Sequence, residues 1–393
     1  MKKNILFIIP GLDVGGAEKS LVNLLSEFDY SKYNVDLFLL NKEGMFIEFL
    51  PKEVNILEQD ENLKIFSKSL YQSIKGFLVK GNIRLAYNRT MFFLINKLLE
   101  NKGKAEQYTW KYLRNAIAKL DKRYDVAIGY LEKTSNYICV DCVQANKKIG
   151  WVHTEYTKLK LDKHFDEWYM NNLDYVITIS EECSKVLKRE FKKDNSKVVV
   201  IKNVLAPNMV KRMAIEEADV EKDTNVIVSV GRLNYEKGFD IAVDTCKRLV
   251  DGGMNLVWYI VGEGSERTML EKRINEYRLN NNLILMGNSP NPYKYMSKAD
   301  IYVQPSRFEG KSIAIDEAKI LCKPIVVTNF STVLDQIKDG KNGIISEMNS
   351  KSLADKISNC IYDYELRNKL IKNLEKESSF ADTEVEKLYC LFE

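Results

Sequence analysis

Residues 225–250, NVIVSVGRLNYEKGFDIAVDTCKRLV, decide the fold. An apolar run, Val226–Val230, reads as a strand; a loop bounded by Gly231 and Gly238 follows; Asp240–Val250 reads as a helix. The unit repeats downstream, with strands at Asn255–Val261, Leu283–Met286, Ile301–Gln304, Pro324–Thr328 and Ile344–Ile345. Helices at Glu266–Arg278, Ser312–Leu321 and Leu353–Tyr362 alternate with them. Upstream, Ile5–Ile9 is a continuous apolar run of the kind a parallel strand buried on both faces requires. A loop, Gly11–Gly16, leads from it to Leu21, Val22, Leu24, Leu25 and Phe28 at helical spacing. Further strands are read at Val35–Leu40, Val126–Tyr130, Ile149–Val152, Tyr175–Ile179 and Val198–Ile201. Such alternation predicts an α/β chain with two doubly wound parallel sheets, each taking ligands at the carboxyl ends of its strands, across a central cleft.

At 393 residues the chain is too long for one ordinary core. The reading is a first Rossmann-like domain over 1–203, a linker over 204–224 and a second Rossmann-like domain over 225–378. A C-terminal helix over 379–393 is expected to cross back to the first domain. The linker is placed on Pro207 and the charged run Glu216–Asp223. A composition of 45% apolar and 29% charged residues excludes wholesale disorder. No apolar run approaches the roughly 18 residues needed to cross a bilayer, and Asn4–Pro10 is too short for a secretory core, so a cytoplasmic chain is expected. Seven scattered cysteines fit reduced thiols. Cys139 and Cys142 form a lone CxxC with no second pair, best read as two small buried residues on a helix.

Charge is uneven. From Lys64 to Arg123 fourteen basic residues face three acids, a local +11 in a chain of net +4. This block sits in a helical insertion at about 62–123, where Ile65, Leu70, Ile74, Phe77 and Leu78 fit one helical face. Met91, Phe92, Phe93, Leu94, Ile95, Leu98 and Leu99 fit another. The block is either a solvated face or a means of attraction to anionic lipid. Nucleic acid is not expected as a partner, because Tyr87, Phe92, Phe93 and Trp110 fall at core spacing and no fingerprint is present. Gly11–Gly16 does not read G-x-G-x-x-G, which argues against a dinucleotide oxidoreductase.

Three strand ends of the second domain carry chemistry. Arg232 and Lys237, five residues apart in a glycine-flanked loop that opens a helix, suit an anion such as a diphosphate. Ile260–Gly264 is a glycine-rich turn containing Glu263. In Gln304–Ala318, QPSRFEGKSIAIDEA, the backbone N–H groups of Gly310, Lys311 and Ser312 are expected to be free at a helix start. Glu309 precedes that helix; Glu317, two turns in, leans back toward the same place, and Asp316 faces elsewhere. Two carboxylates beside an anion site suit the paired hydroxyls of a sugar nucleotide.

With these residues assembled, the chain resembles the retaining glycosyltransferases of the GT-B fold, group 1 (family 4) type. The resemblance rests on Gly15–Glu18, the Gly-Arg…Lys-Gly loop, the Val-Gly-Glu-Gly turn and the two Glu separated by seven residues. Residues 309–330 look most like enzymes of bacterial capsule, exopolysaccharide and O-antigen assembly. The resemblance implies a nucleotide-sugar donor, UDP-linked by expectation, and a glycan or polyprenyl-diphosphate-linked acceptor held by the first domain. It assigns the donor diphosphate to Arg232 and Lys237, the ribose hydroxyls to Glu317, and the transferred sugar to Glu309 with Gly310, Lys311 and Ser312. Glu263 joins the donor set; Met286, Gly287 and Asn288 line the base pocket; Gly15 and Gly16 let the first loop approach the diphosphate. His153, after Ile149–Val152, is placed near the donor sugar, whereas His164 is expected to face solvent. No Asp-x-Asp occurs, so neither a metal nor another cofactor is expected. Many relatives carry an apolar residue where Lys311 stands, which leaves the donor sugar open. A GT-B sugar epimerase or a non-catalytic sugar-nucleotide-binding protein is the alternative. The chain is expected on the inner face of the membrane as a peripheral protein.

Overall fold

The computed structural model describes residues 2–13, 15–191, 195–221, 223–377 and 383–393. Two compact units result, Met1–Val204 with Asp382–Glu393, and Leu205–Ala381.

In the first unit seven strands run in parallel: β1 (Lys3–Ile9), β2 (Tyr33–Leu39), β3 (Val54–Ile56), β4 (Leu120–Gly129), β5 (Val143–Val152), β6 (Tyr175–Thr178) and β7 (Val198–Val200). Their order is β3-β2-β1-β4-β5-β6-β7. The direction of winding reverses between β1 and β4, which leaves a crevice at their carboxyl ends. Ile5–Ile9 are all fully buried, as a central parallel strand demands. The strands β4 and β5 begin several residues earlier than their apolar runs. Their opening segments, with Lys122, Arg123, Asn146 and Lys147, carry polar side chains that give no strand signal. Helix α1 (Gly16–Ser26) follows β1.

The basic insertion is four helices: α2 (Glu61–Phe66), α3 (Leu70–Val79), α4 (Ile83–Leu98) and α5 (Lys102–Leu113). They share a small core of Ile65, Phe66, Phe77, Leu85, Ala86 and Ala116. The Arg89 guanidinium lies over Phe66 and Phe92 and donates to the Phe66 carbonyl at 2.9 Å. The expected helical faces need correction: Ile65 and Phe77 sit on different helices, and Leu78, Phe93, Leu94 and Leu98 face solvent. Tyr87 is likewise exposed, whereas Trp110 is buried.

The second unit holds β8 (Asn225–Val230), β9 (Leu256–Val261), β10 (Leu283–Gly287), β11 (Ile301–Gln304), β12 (Ile325–Thr328) and β13 (Ile344–Ser346), all parallel. Their order, β10-β9-β8-β11-β12-β13, puts the reversal between β8 and β11. The stretch read as a linker is partly folded. Pro207–Met213 forms a helix with Pro207 in its first turn, buries Met209, Val210 and Met213, and belongs to the second unit. Asn291 and Ser297 donate to the carbonyls of Met213 and Ala214 at 2.9 Å each.

At the C-terminus, residues 379–382 of the expected helix lie outside the described residues. The helix Thr383–Cys390 is part of the first unit. Tyr389 and Phe392 pack on Phe28 and Tyr33, and the Tyr389 hydroxyl accepts from Asp29 N–H at 2.7 Å. Cys139 and Cys142 are buried, and burial pushes both thiols up to about 12, which makes them inert packing residues.

Candidate active site

Of the residues singled out in the second domain, Arg232 and Lys237 lie on the loop leaving β8 and Glu309 on the loop leaving β11, the two strands at the reversal point; Glu263 leaves β9, Met286–Asn288 close β10, and Glu317 lies on the helix after β11. Polar geometry between these loops is extensive. Arg307 grips Asp240 through two bonds of 2.7 and 2.6 Å, donates to the Tyr235 carbonyl at 3.0 Å, and lies 4.3 Å over the Tyr235 ring. The loop after β8 is thereby fastened to the loop after β11. Gly238, at φ 65°, sits where a Cβ would stand 2.1 Å from the Pro305 carbonyl oxygen. Its freedom serves packing between the two loops. Gly262 and Gly264 answer to the same demand, since a Cβ at either would strike the Gly231 or Leu233 carbonyl.

Glu309 is the hub. Lys237 Nζ reaches both of its oxygens, at 2.6 and 2.8 Å. Ser306 Oγ donates to Oε1 at 2.7 Å and Gln304 Nε2 at 3.2 Å. The Tyr302 hydroxyl in turn donates to Gln304 Oε1 at 2.5 Å. The carboxylate is almost wholly buried, and its charge is met by a cation and neutral donors together. The two side chains assigned to different parts of the ligand thus meet each other in this state. Arg232, by contrast, is exposed and its side chain makes no ion pair among the described residues.

The helix Ile313–Ile320 positions Glu317, which is completely buried and accepts the Tyr293 hydroxyl at 2.8 Å. Burial, with Glu317 beside it, holds the Tyr293 phenol well above its ordinary pKa, so it stays a donor. The expectation of free N–H groups at this helix start fails at Ser312. Its N–H donates to Gln336 Oε1 at 2.8 Å, and Gln336 Nε2 returns a bond of equal length to the Ser312 carbonyl. Gln336 also donates to Asp316 at 3.0 Å, and Lys311 pairs with Asp316 at 3.3 Å. Thr332 Oγ1 holds the Glu309 carbonyl at 2.8 Å. The Glu309–Ser312 loop is therefore pinned at both ends by a turn 23 to 24 residues downstream. Nothing in the sequence pattern pointed to Thr332, Gln336 or Tyr293; Gln304 and Ser306 were visible only as polar residues closing an apolar strand.

Glu263 pairs with Arg267, and its carbonyl accepts Leu233 N–H at 2.9 Å. Met286 and Gly287 are half-buried at the end of β10 and Asn288 is exposed. In the first unit Gly15 precedes α1 with the Glu18 carboxylate folded over it, so that a Cβ there would overlap that carboxylate. At Gly16 a Cβ would meet nothing within 4 Å.

His153 stands just past β5, stacked on Trp151 (5.6 Å, 9°), with Tyr130 at 5.0 Å. Burial brings its pKa down to about 4, leaving a neutral ring at pH 7. Its Nε2 is buried without a hydrogen-bond partner among the described residues. Its backbone N–H donates at 3.0 Å to Glu132, a buried carboxyl that burial holds above the usual range. Glu132 escaped the sequence reading because it follows β4 with no motif around it. His164 is exposed, as expected.

Two Rossmann-like sheets wound in the same order define a GT-B architecture. Residues 211–377, less than half of the chain, match the family described as glycosyl transferases group 1. It is 24% identical over 383 residues to the N-acetylgalactosamine-N,N'-diacetylbacillosaminyl-diphospho-undecaprenol 4-alpha-N-acetylgalactosaminyltransferase of Campylobacter jejuni, covering 97% of this chain and 96% of that protein. An uncharacterised glycosyltransferase of Methanocaldococcus jannaschii is 25% identical over 250 residues, 54% of this chain and 62% of the relative. Anabaena HepE, solved in complex with UDP-glucose, superposes with a TM-score of 0.65 at 15% identity, covering 99% of this chain and 98% of that one. Among the described residues no helix is long and apolar enough to cross a membrane.

Proposed function

We propose that the chain transfers a sugar from a nucleotide-sugar donor, UDP-linked, to a glycan or polyprenyl-diphosphate-linked acceptor in surface polysaccharide synthesis, with retention at the anomeric carbon and without a metal. The observation that carries this reading is the Lys237–Glu309 pair beside the exposed Arg232, at the carboxyl ends of β8 and β11. Fixed cations at that place suit a diphosphate. A diphosphate competes with Glu309 for Lys237; once it holds the ammonium, Glu309 Oε2 is open to a sugar hydroxyl, while Ser306 and Gln304 keep Oε1. The acceptor class is supported by the near full-length likeness to a transferase whose name specifies a diphospho-undecaprenol acceptor.

In the reaction the bond from C1 to the donor phosphate oxygen breaks and the acceptor hydroxyl oxygen attacks on the same face. Its proton passes to the departing phosphate. Arg232 and Lys237 stabilise the charge that builds on that leaving group. Glu317 is proposed to hold the ribose hydroxyls, with Tyr293 fixing the carboxylate's direction. His153, neutral, is proposed to donate to or accept from the transferred sugar through Nε2.

Calorimetry with UDP, GDP and NAD tests the donor: UDP binding tightest supports the reading, and NAD binding tightest ends it. Arg232→Ala is expected to lose about a hundredfold in turnover, the usual order for removing one such charge contact. Near-normal turnover in that variant would remove Arg232 from the site. Activity that persists in EDTA is expected, and a strict requirement for an added divalent ion contradicts the metal-free scheme.

A further inference from the structure

The geometry points to the α3–α4 hairpin as a wedge that seats on an anionic bilayer, its apolar side chains entering the headgroup boundary. Helix α4 runs sixteen residues, about 24 Å, and is apolar on two faces. One face packs Leu85, Ala86 and the partly buried Phe92 into the insertion's core. The other presents Ile83, Tyr87, Leu94 and Leu98 at i, i+4, i+11 and i+15, exposed by 72, 58, 41 and 77%. Leu78 and Val79, exposed by 53 and 79% at the end of α3, extend the stripe around the turn. A surface helix with a second apolar face has that face covered by something.

Charge identifies what. The thirty-two residues 67–98 contain no Asp or Glu. Much of the net +11 is already answered inside the protein: Lys64 by Glu58, Lys80 by Glu61, Arg114 by Asp141, Lys122 by Asp36, and Arg89 by backbone carbonyls. Among the other basic residues, Lys75, Arg84 and Lys97 stand exposed among the stripe residues and without ion pairs among the described residues. An apolar ridge set with cations and free of acids complements anionic lipid. A second copy fits badly, since a two-fold contact through this face would set those cations against their own kind. The inference rests on the proposed function for its purpose, a lipid-linked acceptor, and not for its test.

Co-sedimentation of the full chain with phosphatidylcholine vesicles, with and without 30% phosphatidylglycerol, tests the wedge. Binding to the anionic vesicles is expected, with part of it surviving 0.5 M NaCl. Ile83→Asp with Leu94→Asp should cut the partition coefficient at least tenfold at both salt concentrations. Leu98→Asp alone should do so more weakly. Lys75→Gln, Arg84→Gln and Lys97→Gln together should cut it at least tenfold at low salt only. Because all these side chains are exposed, melting temperature and UDP binding should match wild type, which keeps the result separate from the donor assignment. Wild-type partition in the Ile83/Leu94 variant, binding abolished outright by salt, or a wild-type dimer in sedimentation velocity that this variant dissociates would each overturn the wedge.

Discussion

Lys237 and Glu309 show what a paired charge costs to take apart. Lys237→Ala leaves a buried carboxylate with only Ser306 and Gln304 as donors, so this variant should lose stability as well as turnover. A loss of roughly 3 kcal/mol in urea unfolding is expected, against less than about 0.5 kcal/mol for the exposed Arg232→Ala; equal losses would show that the pair contributes nothing. His153 supplies a pH signature. Its folded pKa, about 4, lies below the unfolded value near 6.5. Between the two the unfolded chain binds the extra proton, so this contribution is complete above pH 6.5 and is lost as pH falls toward 4. Glu132, raised by burial, acts in the opposite sense. In His153→Asn the drop in stability from pH 7 to pH 5 should therefore shrink by roughly 2 kcal/mol; identical pH slopes in variant and wild type would show that the ring titrates normally.

At the scale of elements, loops are tied to loops. Gly238→Ala should cost at least about 2 kcal/mol, through a left-handed φ and a collision with the Pro305 backbone. Gly310→Ala, in the neighbouring loop where an added Cβ meets nothing within 4 Å, should unfold at nearly the wild-type urea concentration. Similar costs at both positions would mean that the close approach at Gly238 is not what selects glycine. The strand and helix assignments came from apolar periodicity, which buried elements must display. Where an element's signal is polar or short, as in the openings of β4 and β5, in β3 and in the helix Pro207–Met213, periodicity had little to report. The pinning of Glu309–Ser312 by Thr332 and Gln336 joins residues over 20 positions apart, and only folding sets such pairs together.

For the whole molecule, the C-terminal helix is the informative piece. Its aromatic pair, Tyr389 and Phe392, completes a cluster with Phe28 and Tyr33 in the first unit. A chain ending at Glu377 should lower the first unit's calorimetric transition by at least about 5 °C, and leave the second unit's transition in place. An unchanged pair of transitions would make the helix an ornament. The resemblance was legible because its marks are local: a glycine beside a cation, two glutamates on one loop and helix, a strand that ends in Gly-Glu-Gly. Local marks persist in sequence because each loop must make its own turn and present its own side chains. Tertiary structure alone decided which of those side chains meet. It brought Lys237 onto Glu309, gave the Ser312 N–H to Gln336 and set Glu317 under Tyr293. It also turned one apolar face of α4 outward, because a helix's sequence records that a face is apolar and its packing alone determines what that face meets.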